Sequence, residues 1–268
     1  MIQRMSYAEY VDVSGVRWSH LREGKTSFLH YKVRSQTHRP DTPSTVLGRQ
    51  VHAAVFEPEL FDAEFVVCDL NRNSNDWKAF KAAHDPEKIM KPAERENALR
   101  IAEAVRSDPD AAEVLALPGQ AEQVVTWTDP ETGIKRKARM DWVTAPDLHI
   151  VTDLKTAADI SDNGFGRAAG RYCYHGQLID YAGGMYVETG VPYDALIIAV
   201  ENTDVADVRV IEIVGAELDA AQQLDRRLHD QLAQCLRTDT WPGQFSGRSK
   251  LNLPPWDLWD DDDELETP

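Results

Sequence analysis

Between residues 122 and 156 three segments rich in Val, Ile, Thr and Trp follow one another with turn chemistry between them, and no other feature limits the fold as tightly. The segments are Glu122–Thr128, Ile134–Val143 and His149–Thr156. Asp129-Pro130-Glu131-Thr132-Gly133 lies between the first and second, and Thr144-Ala145-Pro146-Asp147 between the second and third. β-Branched and aromatic residues favour strands, and Pro, Asp and Gly at these places favour tight reversals. The spacing predicts a three-stranded antiparallel meander.

Helical signals flank it. Thr42-Pro43-Ser44 starts a helix over Ser44–Phe56 that Pro58 ends, with Val46, Leu47, Val51, Val55 and Phe56 at helical spacing. Residues 69–118 read as a mostly helical, polar insertion interrupted at Pro86, Pro92, Pro109 and Pro118. After the meander we expect a helix over Gly166–Val187, strands at Ala195–Glu201 and Val208–Val214, and a closing helix over Ala216–Arg237. That order gives an α/β fold, a central mixed β-sheet flanked by helices. Residues 1–43 read as an irregular basic segment with short helical pieces near Ser19–Leu29, residues 44–256 as the main domain, and residues 257–268 as an acidic, disordered tail.

The 268 residues are long enough for one large domain, and 42% of them are hydrophobic. No stretch approaches a membrane span, and the opening MIQRMSYAEYVDVSG lacks the apolar core of a secretory signal, so a cytoplasmic location is expected. Cys68, Cys173 and Cys235 are scattered, which argues against a disulfide framework, a Cys-rich zinc site or a four-Cys iron–sulfur cluster. The net charge of −16 argues against a protein that coats nucleic acid broadly. Seven of those acids lie in the tail, including Asp260–Asp263, and without them the charge is −9. Residues 1–40 instead hold seven bases against three acids, so a local basic groove remains compatible.

Arg139-Met140-Asp141 in the second strand and Asp153-Leu154-Lys155 in the third carry the chemistry. Adjacent strands can bring Asp141 and Asp153 together, and Asp153 and Lys155, two apart, share a face. Neighbouring carboxylates repel unless a cation lies between them. Mg²⁺ suits such oxygen ligands, and an amine beside it can orient water for phosphodiester hydrolysis. Asp153 and Lys155 interrupt the otherwise apolar or β-branched run Ile150–Thr156, where a charge is costly unless compensated. The bases Lys135, Arg136, Lys137 and Arg139 could meet a nucleic-acid backbone.

The ordered set resembles the PD-(D/E)XK nuclease superfamily, and within it the RecE and lambda-type exonucleases of phage recombination. Gly48–Phe61 resembles the segment in which a helix carries a metal-binding histidine and ends in Glu-Pro. Glu122 with Trp127-Thr128-Asp129 and Thr132-Gly133 resembles the lead-in to the core strands. Gln177-Leu178-Ile179-Asp180-Tyr181 resembles the Gln-x-x-x-Tyr motif of the following helix. Two departures are Met140, where the family usually has Pro, and Trp18-Ser19-His20-Leu21 in place of a Ser-x-Leu-type opening.

The resemblance implies that Asp141, Asp153, the Leu154 carbonyl and His52 hold Mg²⁺, with Mn²⁺ also acceptable to an imidazole. Lys155 would be the catalytic lysine and Glu122 an assisting group. Gln177 and Tyr181, with Tyr174 on roughly the same face, would contact the backbone or steady the site. Arg139, Lys137, Arg167 and Arg171 would hold phosphate, and the basic N-terminal segment would touch DNA. It further implies 5′-to-3′ digestion of duplex DNA ends, and a 3′ strand handed to a single-strand annealing protein. A processive, ring-shaped homo-oligomer (trimer or tetramer) and a phage or prophage origin in a bacterial host also follow from it. The alternatives are an endonuclease of the same superfamily and a non-catalytic DNA-end-binding module. The acidic tail is expected to aid solubility, to dock on the annealing protein or to repel DNA from the wrong face.

Overall fold

The computed structural model describes residues 1–37 and 40–254, so Arg39 and the acidic tail lie outside the described residues. The elements run β1 (Ile2–Arg4), α1 (Tyr7–Asp12), α2 (Trp18–Leu21), α3 (Phe28–Arg34), α4 (Pro43–Phe56), α5 (Pro58–Glu64), β2 (Val66–Val67), α6 (Asn75–Ala83), β3 (Ile89–Met90), α7 (Pro92–Ser107) and α8 (Pro109–Ala116). They continue with β4 (Gly119–Thr128), β5 (Lys135–Thr144), β6 (Ile150–Ala157), α9 (Asp162–Tyr172), α10 (Tyr174–Thr189), β7 (Asp194–Glu201), β8 (Val208–Glu212) and α11 (Gly215–Thr238). A six-stranded sheet has the order β1-β4-β5-β6-β7-β8. Its neighbours are antiparallel except β6 and β7, which are parallel and joined by the crossover through α9 and α10. The sheet is therefore mixed, as expected, and the meander is β4-β5-β6.

One face of the sheet buries Leu154, Ile198 and Val200 against Val51, Ala54 and Phe56 of α4 and Ile101 and Val105 of α7. The other buries Val125, Ala138, Met140 and Val151 against Leu178, Tyr181 and Met185 of α10. α4 starts where the sequence indicates: the Thr42 hydroxyl accepts the Thr45 N–H at 3.2 Å, and Pro43 opens the helix. A third cluster packs Trp18, Leu21, Phe28 and Tyr31 of the N-terminal helices on Leu224, Leu228 and Leu232 of α11.

Two expectations are corrected. Residues 1–43, expected to be irregular and to precede the main domain, are built into it: β1 forms the edge of the main sheet, with Gln3 opposite Val124, and α2 and α3 cover α11. The helix expected over Gly166–Val187 is two helices, broken at Cys173, whose φ of 58° is left-handed. The break is held by tertiary contact: the Trp18 indole N–H donates to the Cys173 carbonyl at 3.1 Å.

Two glycines of α10 test the packing. A Cβ at Gly176 would lie 2.3 Å from the Trp18 ring, while one at Gly183 meets nothing within 4 Å. Gly176→Ala should lower unfolding free energy by about 1–3 kcal/mol through overpacking. Gly183→Ala should raise it by about 0.5–1 kcal/mol. Urea titrations of both variants check the opposite signs, and equal effects would contradict this packing.

Candidate metal and nuclease site

The central sheet comes apart at Asp141. β4 and β5 pair at Ala121 with Trp142 and at Gln123 with Met140, skipping Glu122 and Asp141 between them. β5 and β6 pair only at Trp142 with Thr152 and Val143 with Val151, so pairing stops one step before Asp141 would face Asp153. In place of a strand carbonyl, the Asp141 carboxylate accepts the Leu154 N–H at 2.8 Å. Glu122 enters the gap with φ at 57°, a left-handed backbone that costs a non-glycine residue about 1–3 kcal/mol.

Each carboxylate is met from a different side. From α4, His52 places Nδ1 3.3 Å from Asp141 Oδ2 and Nε2 2.9 Å from the Leu154 carbonyl oxygen. From α10, Gln177 donates to Asp153 Oδ1 at 3.3 Å and lies 2.6 Å from the Tyr181 hydroxyl. Lys155 ion-pairs with Asp153 Oδ2. Arg139 pairs with Glu122 at 2.6 Å. The structure thus brings together His52, Glu122, Arg139, Asp141, Asp153, Leu154, Lys155, Gln177 and Tyr181.

Burial sets the charge states. It is the largest influence on Asp153 and, with the charge of Asp141, pushes that carboxyl up to about 6 although Lys155 opposes it. Burial raises Glu122 to about 7 against the pull of Arg139. For Asp141, burial is outweighed by His52, Lys155 and the Leu154 N–H, which hold its pKa below the ordinary aspartate value. Burial would lower His52, but the charge of Asp141 and its hydrogen bond raise it above an ordinary histidine. Burial likewise works against the Lys155 ammonium, and Asp153 and Asp141 overcome it.

The donors fit a divalent ion in kind: carboxylates, one carbonyl and one imidazole. The raised Asp153 fits too: burial and the neighbouring Asp141 carboxylate disfavour its ionised form, and a bound cation would favour it. His52 spans the Asp141 carboxylate and the Leu154 carbonyl, two of the donors expected to hold the ion. The compact triple of metal-competent side chains among the described residues lies elsewhere, at Asp180, Asp225 and His229. There the buried guanidinium of Arg136 already supplies the cation, pairing with Asp180, with Asp225 at 3.2 Å and with Asp129 at 3.6 Å.

A groove of about 1280 Å³ is lined by His52, Glu122, Arg139 and Asp141, and by Arg17, Arg22, Arg34 and Arg49 from the N-terminal third. Several of its arginines face acids: Arg34 pairs with Glu23, and Arg49 with Asp41 and Glu87. A phosphate entering the groove therefore competes with carboxylates. Lys137 is no phosphate ligand. It is buried and donates to the carbonyls of Tyr10, Val11 and Val13 at 2.8, 3.1 and 2.6 Å, tying α1 to β5. Arg136 is likewise spent inside the protein. Arg167 and Arg171 are exposed on α9 and are not themselves part of the groove lining. The roles of Arg136 and Lys137 escaped sequence reasoning because their partners, Asp180, Asp225 and the end of α1, are distant in the chain and carry no motif.

Glu122 gives a pH-dependent test. Its folded pKa of about 7 lies above the ordinary glutamate value of 4.5, so the folded state holds a proton that the unfolded chain has lost between these pH values. Ionised Glu122 thus costs stability as pH rises through that window. In EDTA, Glu122→Gln should be neutral near pH 4 and stabilising by about 1–3 kcal/mol near pH 8. Urea titrations at both pH values check it; a stabilisation equal at the two would contradict a raised Glu122.

No helix among the described residues is long and apolar enough to cross a membrane. No curated protein matches the sequence. Among solved structures, a candidate exonuclease from Eubacterium rectale is 16% identical and covers 93% of this chain and 96% of its own, with a TM-score of 0.58. A phage-related exonuclease from Haemophilus somnus 129PT is 12% identical over 85% of this chain and 98% of its own, with a TM-score of 0.32. The first likeness supports the fold. Residues 20–251 match the model of a PDDEXK-like domain of unknown function, DUF3799, and the chain belongs to that family.

Proposed function

We propose that this protein is a metal-dependent deoxyribonuclease that digests one strand of duplex DNA from its end. The observation that carries the reading is the opening of the sheet at Asp141. Two strands diverge there and leave two carboxylates, a carbonyl, an imidazole and an ammonium around one gap. A bound Mg²⁺ or Mn²⁺ would polarise the scissile phosphate and acidify its water. Asp141, Asp153, the Leu154 carbonyl and His52 would hold it, His52 giving up a proton to do so.

Lys155, fixed against Asp153, positions the attacking water and offsets charge at phosphorus. Gln177 holds the other Asp153 oxygen, and Tyr181 holds Gln177. Arg139, which lines the groove, is released from Glu122 to a neighbouring phosphate. Action at ends, 5′-to-3′ and processive within a ring-shaped trimer or tetramer, is the reading favoured by the RecE-like order of motifs. The Eubacterium rectale structure, a candidate exonuclease of like fold, fits the nuclease reading. The 3′ strand left behind would serve a single-strand annealing protein during phage-type recombination in a bacterial cytoplasm.

Linear duplex labelled separately at each 5′ and each 3′ end tests this directly. With Mg²⁺, label at the 5′ ends should be released first as small products, EDTA should stop release, and circular duplex should survive. Asp153→Ala should abolish cleavage, and Lys155→Ala should lower kcat by about 10²–10⁴-fold. Equal rates in Asp153→Ala and wild type would sink the assignment; equal cutting of circles would replace exonuclease by endonuclease.

A further inference from the structure

Lys155 is also the inner end of a stack that leads to the surface. Its ammonium lies 5.0 Å from the centre of the Tyr174 ring. Tyr174 stacks on Tyr172, centroids 5.6 Å apart and planes 23° off parallel. The guanidinium of Arg171 lies 5.4 Å from the Tyr172 ring. Tyr172 is 40% exposed and belongs to neither core face of the sheet.

The platform is firmly set. Arg22 donates to the Tyr172 carbonyl at 3.1 Å, and Lys25 to the Gly170 carbonyl at 2.7 Å. Arg22 also lines the groove, so the stack adjoins the channel assigned to DNA. Beside it α9 is open: a Cβ at Gly166 or Gly170 would meet nothing within 4 Å. Cation, ring, ring and catalytic amine thus succeed one another within a few ångströms, alternating the two kinds of surface that a nucleic-acid strand offers, phosphate and base.

Building on the nuclease reading, we propose that Tyr172 stacks an unpaired nucleobase adjacent to the scissile phosphate, while Arg171 leaves the ring for that nucleotide's phosphate. Every base has a π-face that an aromatic ring can hold without regard to sequence. A base inside a duplex has both faces covered by its neighbours, and a terminal pair frees only its outer face, so the platform favours a nucleotide already out of the helix. The site would therefore engage its strand unpaired at the point of cleavage.

The test is binding of the full chain, in EDTA, to a fluorescein-labelled oligothymidylate and to an abasic oligomer of the same length. Wild type should prefer the oligothymidylate. Tyr172→Ala should weaken that complex roughly tenfold to a hundredfold and leave the abasic complex unchanged, while Tyr172→Phe should bind like wild type. Equal losses on both ligands, an equal loss in Tyr172→Phe, or no loss at all would overturn the proposal. End-labelled digestion with Mg²⁺ or Mn²⁺ is the separate readout for the nuclease reading. A wild type that discriminates between the two ligands but releases no label would sink that reading and leave the stacking platform standing.

Discussion

The hydrogen bond from the Leu154 N–H to the Asp141 carboxylate is the contact on which the site depends. A sheet ladder satisfies each backbone donor with a strand carbonyl, and an unpaired buried donor is costly. Here a side chain takes the carbonyl's place, so β5 and β6 can separate without orphaning the donor. The separation leaves the Leu154 carbonyl to His52 and lets Asp141 and Asp153 be approached from opposite faces of the sheet. An Asn at 141 would keep the acceptor oxygen but lose the charge, which separates the structural from the electrostatic part of this residue.

The surrounding protein supplies what such a gap needs. α4 delivers His52 because its apolar residues are fixed against the sheet and α7, and α10 delivers Gln177 and Tyr181 in the same way from the other face. Buried ions are stabilising only when partners and geometry are good. Asp153 and Lys155 meet that condition incompletely, since Asp153 stays far from its usual acidity. The strained backbone of Glu122 belongs to the same pattern: local conformational cost collects where strands have been parted, and the rest of the fold over-determines it.

Much of this was legible in the sequence. Period and turn chemistry between Glu122 and Thr156 placed the meander, and the two-residue spacing of Asp153 and Lys155 put them on one strand face, where they pair. The four-residue spacing of Gln177 and Tyr181 put them on one helix face, where they touch. What escaped depends on partners far along the chain. β1 is three residues long and has no period to read. The break at Cys173 is met by Trp18, 155 positions earlier, whose indole N–H donates to its carbonyl. Lys137 and Arg136 looked like surface bases in a basic run, and nothing local announced that buried carbonyls and carboxylates would claim them.

The shared cluster of α2, α3 and α11 has a bearing on how the protein may be cut down. Leu224, Leu228 and Leu232 are buried by the N-terminal helices, and removing those helices would return three leucines to water. At about 1.5–3 kcal/mol for each such side chain, the loss approaches the entire net stability of an ordinary domain. The smallest autonomous unit therefore includes the opening forty residues, and a fragment begun at the α4 helix should be collapsed or insoluble.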